Sequence, residues 1–348
     1  MSRSYRSTAR WRCEFEEWLD ENMTGDKAVS LYKGAWEKWE AWARRQQWPS
    51  PFMNPRGDKL ENEDRLLGFL GYVGWLGASA ATLKQLLFAI KDKHKRCGAG
   101  DCTEGMFRVW LLVNSLDRRA ERRPRRLGAT PGMMKWINRT FGKVGPGRGE
   151  ESVDAAVVAA ALTTAWFFML RAKEFCDSSG VDESMVVRGC DVKLTETDVT
   201  LQFRKTKPDQ EAFGSCKSYA ATDVPDLCPV MALKALQLVA PRRFEEGPEA
   251  LLPLFRWATG QVIKRVEVQE LLKRAARAEG LPEERFLSHS LRIGGASALF
   301  QASGEIELVK RMGRWSSSAV QRYLHDGGDV IRGLSRGMAN VDKKVHYT

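Results

Sequence analysis

A mainly α-helical chain with a small antiparallel sheet in its second half is what this sequence predicts, on three observations. Apolar residues recur at helical spacing through most of the chain, alternation is confined to a short stretch near residues 199–203, and an arginine-rich segment without apolar periodicity interrupts the pattern at residues 118–126. With 348 residues, 43% of them apolar, the chain exceeds one ordinary core and fits two domains. The expected division is a helical domain over residues 1–120, a basic linker over 121–130, and a mixed α+β domain over 131–348 that ends in a tail helix.

The elements follow in order. Phe15, Trp18 and Leu19 form one apolar face, and Thr24 caps a longer run in which Val29, Tyr32, Trp36 and Trp39 fall on one side. Core packing explains this tryptophan stripe better than base stacking does, because its spacing is that of an inward helix face. Pro49, Pro51, Pro55 and Gly57 then break the chain. Helices are expected over residues 61–76 and 79–96, and the second joins an apolar face (Leu83, Leu86, Leu87, Ile90) to a basic one. Lys84, Lys91, Lys93 and Arg96 on that helix are candidate contacts for a phosphate backbone, with a solvated lysine face as the plainer alternative. After a helix over 107–116 comes the segment with six arginines between 118 and 126, of which Arg122, Arg123, Arg125 and Arg126 can lie along DNA or serve as a localisation signal. In the second domain, helices are expected over 131–141, 153–170, 229–239 and 261–279, with a strand at 199–203 and polar turn residues after it through Gly214.

A formal charge of +11 calls for an acidic partner, and nucleic acid is the expected one. The first thirty residues lack the pattern of a secretory signal, and the longest apolar run, 155–170, is short for a membrane span, so a soluble intracellular protein without a membrane role is expected. Seven cysteines, scattered singly apart from Cys97 and Cys102, argue against a disulfide scaffold. His94 lies near that pair, but no second ligand cluster accompanies it, so no metal site is expected.

The chemistry concentrates in residues 287–324, LSHSLRIGGASALFQASGEIELVKRMGRWSSSAVQRYL. His289 and Arg292 at a helix start can donate hydrogen bonds and positive charge to phosphate oxygens. Tyr323, downstream of Trp315, offers a hydroxyl that can attack phosphorus and form a covalent intermediate. Gly294 and Gly295 allow the helix start to pack closely.

Together with LRAKEF at 170–175, RKTKPDQ at 204–210, LCPV at 227–230 and MGRWSSSAVQRY at 312–323, this stretch resembles the tyrosine recombinase (phage integrase) family, which includes Cre. The motifs are most similar to its eukaryotic, transposon-borne Crypton and DIRS branch, and the resemblance spans residues 79–323. It implies a SAM-like, DNA-clamping core-binding domain followed by a Cre-like catalytic domain. It also implies a site made of Arg171, Glu174, Lys207, His289, Arg292, Trp315 and the nucleophile Tyr323, with Lys205 a neighbour able to compete with Lys207 or to bind DNA. In that site the arginines neutralise the phosphorane, His289 hydrogen-bonds a non-bridging oxygen or assists proton transfer, and Glu174 holds a basic neighbour. Trp315 stands where many bacterial members have histidine, and indole cannot shuttle a proton, so acid catalysis falls to the hairpin lysine. Tyr323 lies eight residues after Trp315, as in the eukaryotic branch, whereas Tyr219 and Tyr347 lack the Gly-Arg-Trp approach.

The implied activity is site-specific recombination of double-stranded DNA through a 3′-phosphotyrosyl link, without metal or other cofactor, by a tetramer on two DNA sites. Val330, Ile331, Leu334 and Met338 form an apolar stripe in the tail that can dock on a neighbouring protomer or fold back on its own core. A eukaryotic host would place the protein in the nucleus. A type IB topoisomerase and a non-catalytic DNA-binding descendant of a recombinase are the rival readings.

Overall fold

The computed structural model describes residues 26–54, 57–98, 100–119, 126–143, 149–177, 185–204, 214–315 and 320–321. The chain divides into two compact units, Met1–Arg123 and Pro124–Thr348.

The first unit contains α1 (Asp26–Arg45), α2 (Lys59–Trp75), α3 (Ala80–Arg96) and α4 (Phe107–Arg119). Two starts are fixed by capping: the Asp58 carboxylate accepts from the Leu60 and Glu61 amides at α2, and the Ser79 hydroxyl accepts from the Thr82 amide at α3. The tryptophan stripe faces inward as its spacing requires. Trp39 is fully buried, donates its indole N–H to the Pro51 carbonyl at 2.8 Å, and meets Phe69 edge to face. Leu66, Leu70, Leu83, Leu87, Ile90, Val109 and Val113 complete this core. His94 belongs to it too: its Nε2 accepts from the Met53 amide at 2.9 Å and its Nδ1 lies 2.7 Å from the Ile90 carbonyl. Both ring nitrogens therefore serve backbone groups, and burial depresses the pKa of this histidine.

The second unit is built around α6 (Gly149–Phe167), which follows α5 (Pro131–Phe141) and is buried on every side from Ala156 to Trp166. A helix that is apolar all round belongs in a core. A short helix, α7 (Ala172–Phe175), leads to a three-stranded antiparallel sheet of β1 (Val192–Leu194), β2 (Asp198–Phe203) and β3 (Ser215–Ala220), in that order. Alternation on β2 sends Val199, Leu201 and Phe203 into the core, as the sequence pattern predicts. The segment 261–264, expected to be helical, instead runs extended: Val262 bridges Arg256, Lys264 bridges Asp177, and the Ile263 amide donates to the Phe255 carbonyl. These backbone pairings hold the segment extended until α9 (Arg265–Ala278) begins, after α8 (Pro229–Val239).

The last described helices are α10 (His289–Ser303) and α11 (Ile306–Gly313). Tight packing places α10: a Cβ at Gly294 would lie 2.0 Å from the Ala129 carbonyl oxygen, and one at Gly295 1.9 Å from the Trp166 carbonyl oxygen. Only glycine lets this backbone approach. Leu127 and Ala129, within the segment expected as linker, donate their backbone N–H groups to the Arg285 and Ser290 carbonyls of this unit.

Candidate active site

The C-terminal end of α6 is where the predicted site residues meet. Like any helix end, it exposes carbonyls that lack intrahelical partners. Met169 takes a left-handed turn (φ 50°) and directs the chain toward Arg171, the N-cap of α7. Two arginines from the last described elements fill the open carbonyls. Arg292 donates to the Met169 carbonyl, and Arg314 donates to the Phe168 carbonyl at 3.0 Å. Cations at a helix C-terminus are favoured by its dipole as well as by these hydrogen bonds.

Glu174 joins the cluster. Its Oε2 accepts from the Arg171 amide at 2.9 Å and from Arg314 Nη2 at 2.7 Å, while its Oε1 accepts from Arg171 Nη1 at 2.9 Å. Burial opposes its charge, but Arg314, Arg171 and Arg292 outweigh that and hold its pKa below the ordinary carboxylate range. The last residue of α11 and the one after it tie the arginines together from the other side. Gly313 gives its carbonyl to Arg292 at 2.7 Å, and Arg314 gives its own carbonyl to Arg171 at 3.3 Å. Trp315 lays its ring against the Arg292 guanidinium, 3.9 Å from carbon to centroid, and Phe203 does the same for Arg314 at 3.7 Å.

The arginines differ in access. Arg292 is 2% exposed, whereas the Arg171 side chain retains 25% of its surface and reaches solvent. His289, the first residue of α10, is half-buried beside them. Burial first, then the charges of Arg292, Arg126, Arg171 and Arg265, push its pKa down to about 4, so the imidazole is neutral at physiological pH. Arg171, Glu174, His289, Arg292 and Trp315, spread over 145 positions of sequence (315 − 171 + 1), thus form one electropositive cluster.

The other predicted residues are not among the described members of this cluster. Tyr323, Lys205, Lys207, Arg122, Arg123 and Arg125 lie outside the described residues, as do Tyr347 and the tail stripe. Arg204, the last described residue before the segment with both lysines, is held by Asp191 at 3.0 Å and by the Val186 carbonyl at 2.6 Å. Val320, three positions before Tyr323, is fully buried against Met169, Ala296 and Val309, next to the carbonyl that Arg292 uses. Arg126 is exposed. In the first unit, Lys84 pairs with Asp117 at 3.1 Å, Lys91 with Asp101 at 2.7 Å and Arg96 with Asp92 at 2.7 Å, while Lys93 is half-buried. Tyr219 is packed against Phe167 and Phe168, where burial pushes its pKa up to about 12, a poor setting for a nucleophile.

Three residues were missed. Arg314 could have been noticed as the third arginine beside the Gly-x-Trp turn, but nothing in the sequence links it to Glu174. Lys217 lies on β3 opposite Leu201, on the sheet face that carries Phe203, and burial with the charges of Arg314 and Arg311 lowers its pKa. Arg265, at the start of α9, reaches the Ser288 hydroxyl at 3.1 Å. Neither has a sequence signal beyond its charge.

No family model matches the sequence, and no curated protein matches it. Solved structures do match. The XerH site-specific recombinase bound to palindromic difH substrate in a post-cleavage complex is 14% identical, with a TM-score of 0.58 over 90% of this chain and 80% of that one. A lambda integrase (75–356) dimer bound to a COC′ core site is 15% identical, with a TM-score of 0.51 over 92% of this chain and 96% of that one. This protein, a helical region followed by a mixed α+β unit with a small antiparallel sheet, shares the fold of these two structures.

Proposed function

We propose that this protein is a site-specific DNA recombinase that cleaves and rejoins strands by transesterification. The observation that carries this reading is the convergence of Arg171, Glu174, His289 and Arg292 on the end of α6, in a recombinase fold. Tyr323 is the nucleophile: its oxygen bonds to the scissile phosphorus, the bond to the 5′ oxygen breaks, and a 3′-phosphotyrosyl link remains. Attack by a 5′ hydroxyl on that link reverses the step and joins strands.

Arg171, partly exposed, contacts the phosphate, and Arg292 adds charge from beneath, where low polarisability of the surroundings makes it effective on the developing phosphorane. His289, neutral, hydrogen-bonds a non-bridging oxygen. The leaving oxygen takes its proton from a hairpin lysine, Lys207 with Lys205 as the alternative; Lys217 is the described lysine facing the same cluster. A bridging sulfur in place of the 5′ oxygen needs no acid, so the lysine whose alanine variant it rescues is the donor. Double-stranded DNA is the substrate, and four protomers on two sites make the active assembly. Trp315 and its eight-residue step to Tyr323 favour a transposon-borne, eukaryotic-type enzyme that acts in the nucleus.

The test is a suicide duplex, nicked just beyond the cleavage position so that the released 5′ hydroxyl strand diffuses away, tiled over candidate terminal sequences of the element. A denaturant-stable protein–DNA adduct that is lost in Tyr323→Phe supports the reading. An adduct that survives this substitution moves the nucleophile elsewhere, and supercoil relaxation by single protomers without strand exchange points to a topoisomerase.

A further inference from the structure

Arg314 is held by the site, yet its position carries three local costs. Its backbone is left-handed (φ 59°, ψ 48°) at the end of α11, a conformation that favours glycine and strains a side chain with a Cβ. The residue is 7% exposed, so a full positive charge is taken out of water. Its Nε is buried and has no hydrogen-bond partner among the described residues. A side chain selected by stability alone would not combine these three costs, whereas strained and under-satisfied groups are found where function requires a particular orientation.

Its contacts show what the orientation achieves. One terminal nitrogen donates to Glu174 Oε2 at 2.7 Å, the other to the Phe168 carbonyl at 3.0 Å, and the Phe203 ring closes over the guanidinium at 3.7 Å. Glu174 is thereby fixed from behind, with its Oε1 facing Arg171 Nη1 at 2.9 Å. The left-handed turn also aims the Arg314 carbonyl at Arg171 Nη2, at 3.3 Å. Both terminal nitrogens of the partly exposed Arg171 are thus set by Arg314, one through Glu174 and one directly.

We propose that Arg314 is a positioning residue that orients Arg171 toward the scissile phosphate through Glu174 and through its own carbonyl. This inference rests on the strand-cleavage reading above. Without the guanidinium, the Glu174 carboxylate would be held by Arg171 alone and would draw it inward, away from solvent.

The experiment compares wild type, Arg314→Met, Arg314→Lys and the double variant Glu174→Gln/Arg314→Met on the same suicide duplex. The rate of adduct formation at saturating DNA, the DNA dissociation constant and the thermal midpoint are read for each. Arg314→Met is expected to slow adduct formation about 100-fold, the cost of a misplaced catalytic group, while DNA affinity changes about threefold or less. The double variant removes the buried charge that has lost one of its two arginine partners, so it regains thermal stability but not rate. Arg314→Lys, which keeps a cation but not the fork, falls between, and it with the double variant carries the test if Arg314→Met does not fold. Wild-type rates in Arg314→Met, or recovery of rate together with stability in the double variant, would overturn the proposal and leave Arg314 a counter-ion for folding. If wild type itself forms no adduct on any duplex, the recombinase reading fails and this inference fails with it; an adduct formed equally by wild type and variant removes this inference alone.

Discussion

The end of α6 and the basic face of α3 are both rich in cations, and they are built in opposite ways. On α3, lysines and arginines have carboxylate neighbours at the surface: Lys84 with Asp117, Lys91 and Lys95 with Asp101, Arg96 with Asp92. Around α6, Arg171 and Arg314 share the carboxylate of Glu174 and each also donates to a backbone carbonyl, while Arg292 donates to two backbone carbonyls. Carbonyls fix direction without cancelling charge. The first arrangement leaves solvated, nearly balanced ion pairs that salt screens, and the second leaves a surplus of oriented positive charge in a low-polarity setting. Net charge therefore says little about where an anion is bound; the choice of acceptor says more.

The contrast can be tested from its strongest consequence downward. Arg171→Ala is expected to slow adduct formation about 10²–10³-fold at saturating DNA, the scale of losing one charge-stabilising group, and Lys91→Ala to leave that rate unchanged. Equal losses in the two variants would erase the distinction between oriented and solvated charge. Gly295→Ala, which forces a methyl group against the Trp166 carbonyl oxygen, should cost about 1–3 kcal/mol or more in denaturant unfolding and reduce cleavage with it, because α10 carries both His289 and Arg292. A neutral outcome would mean that the helix is less tightly seated than its geometry indicates.

His289 provides the pH test. Its folded pKa of about 4 lies below the ordinary 6.5, so the unfolded chain binds a proton first as pH falls. Stability supplied by the neutral imidazole is present above pH 6.5 and is lost progressively as pH drops toward about 4. Thermal midpoints measured across that window should fall more in wild type than in His289→Gln, and parallel curves would show that the surrounding arginines do not act on His289. The smallest effect is expected on α3. Lys84→Ala should change stability by about 0.5 kcal/mol or less, and if Lys84 meets a DNA phosphate, the slope of log affinity against log salt should become shallower by about 0.9.

Much of this was legible before any coordinates. Helical periodicity placed α1 through α6 and α8 close to their observed positions, and the alternation at 199–203 marked the central strand, because local patterns of burial follow directly from backbone geometry. Residues 261–264 escaped that reading, since their extended form depends on partners at Asp177, Phe255 and Arg256 that periodicity does not see. Within the candidate site, Arg171, Glu174, His289, Arg292 and Trp315 were readable as motif residues, and the fold brings them together. Arg314, Lys217 and Arg265 were not, because a charged residue in an arginine-rich chain looks the same whether it faces solvent or a buried carboxylate.

What the sequence by itself determined is therefore the class of chain, the helical and strand periods, and the residue types able to handle a phosphodiester. Only the tertiary structure decided which cations are oriented, which are paired off, and that Glu174 is shared by two arginines 143 positions apart (314 − 171). The physical reason is that periodicity is a property of neighbours along the chain, whereas an electrostatic site is set by distance, burial and acceptor geometry between segments that only folding brings into contact.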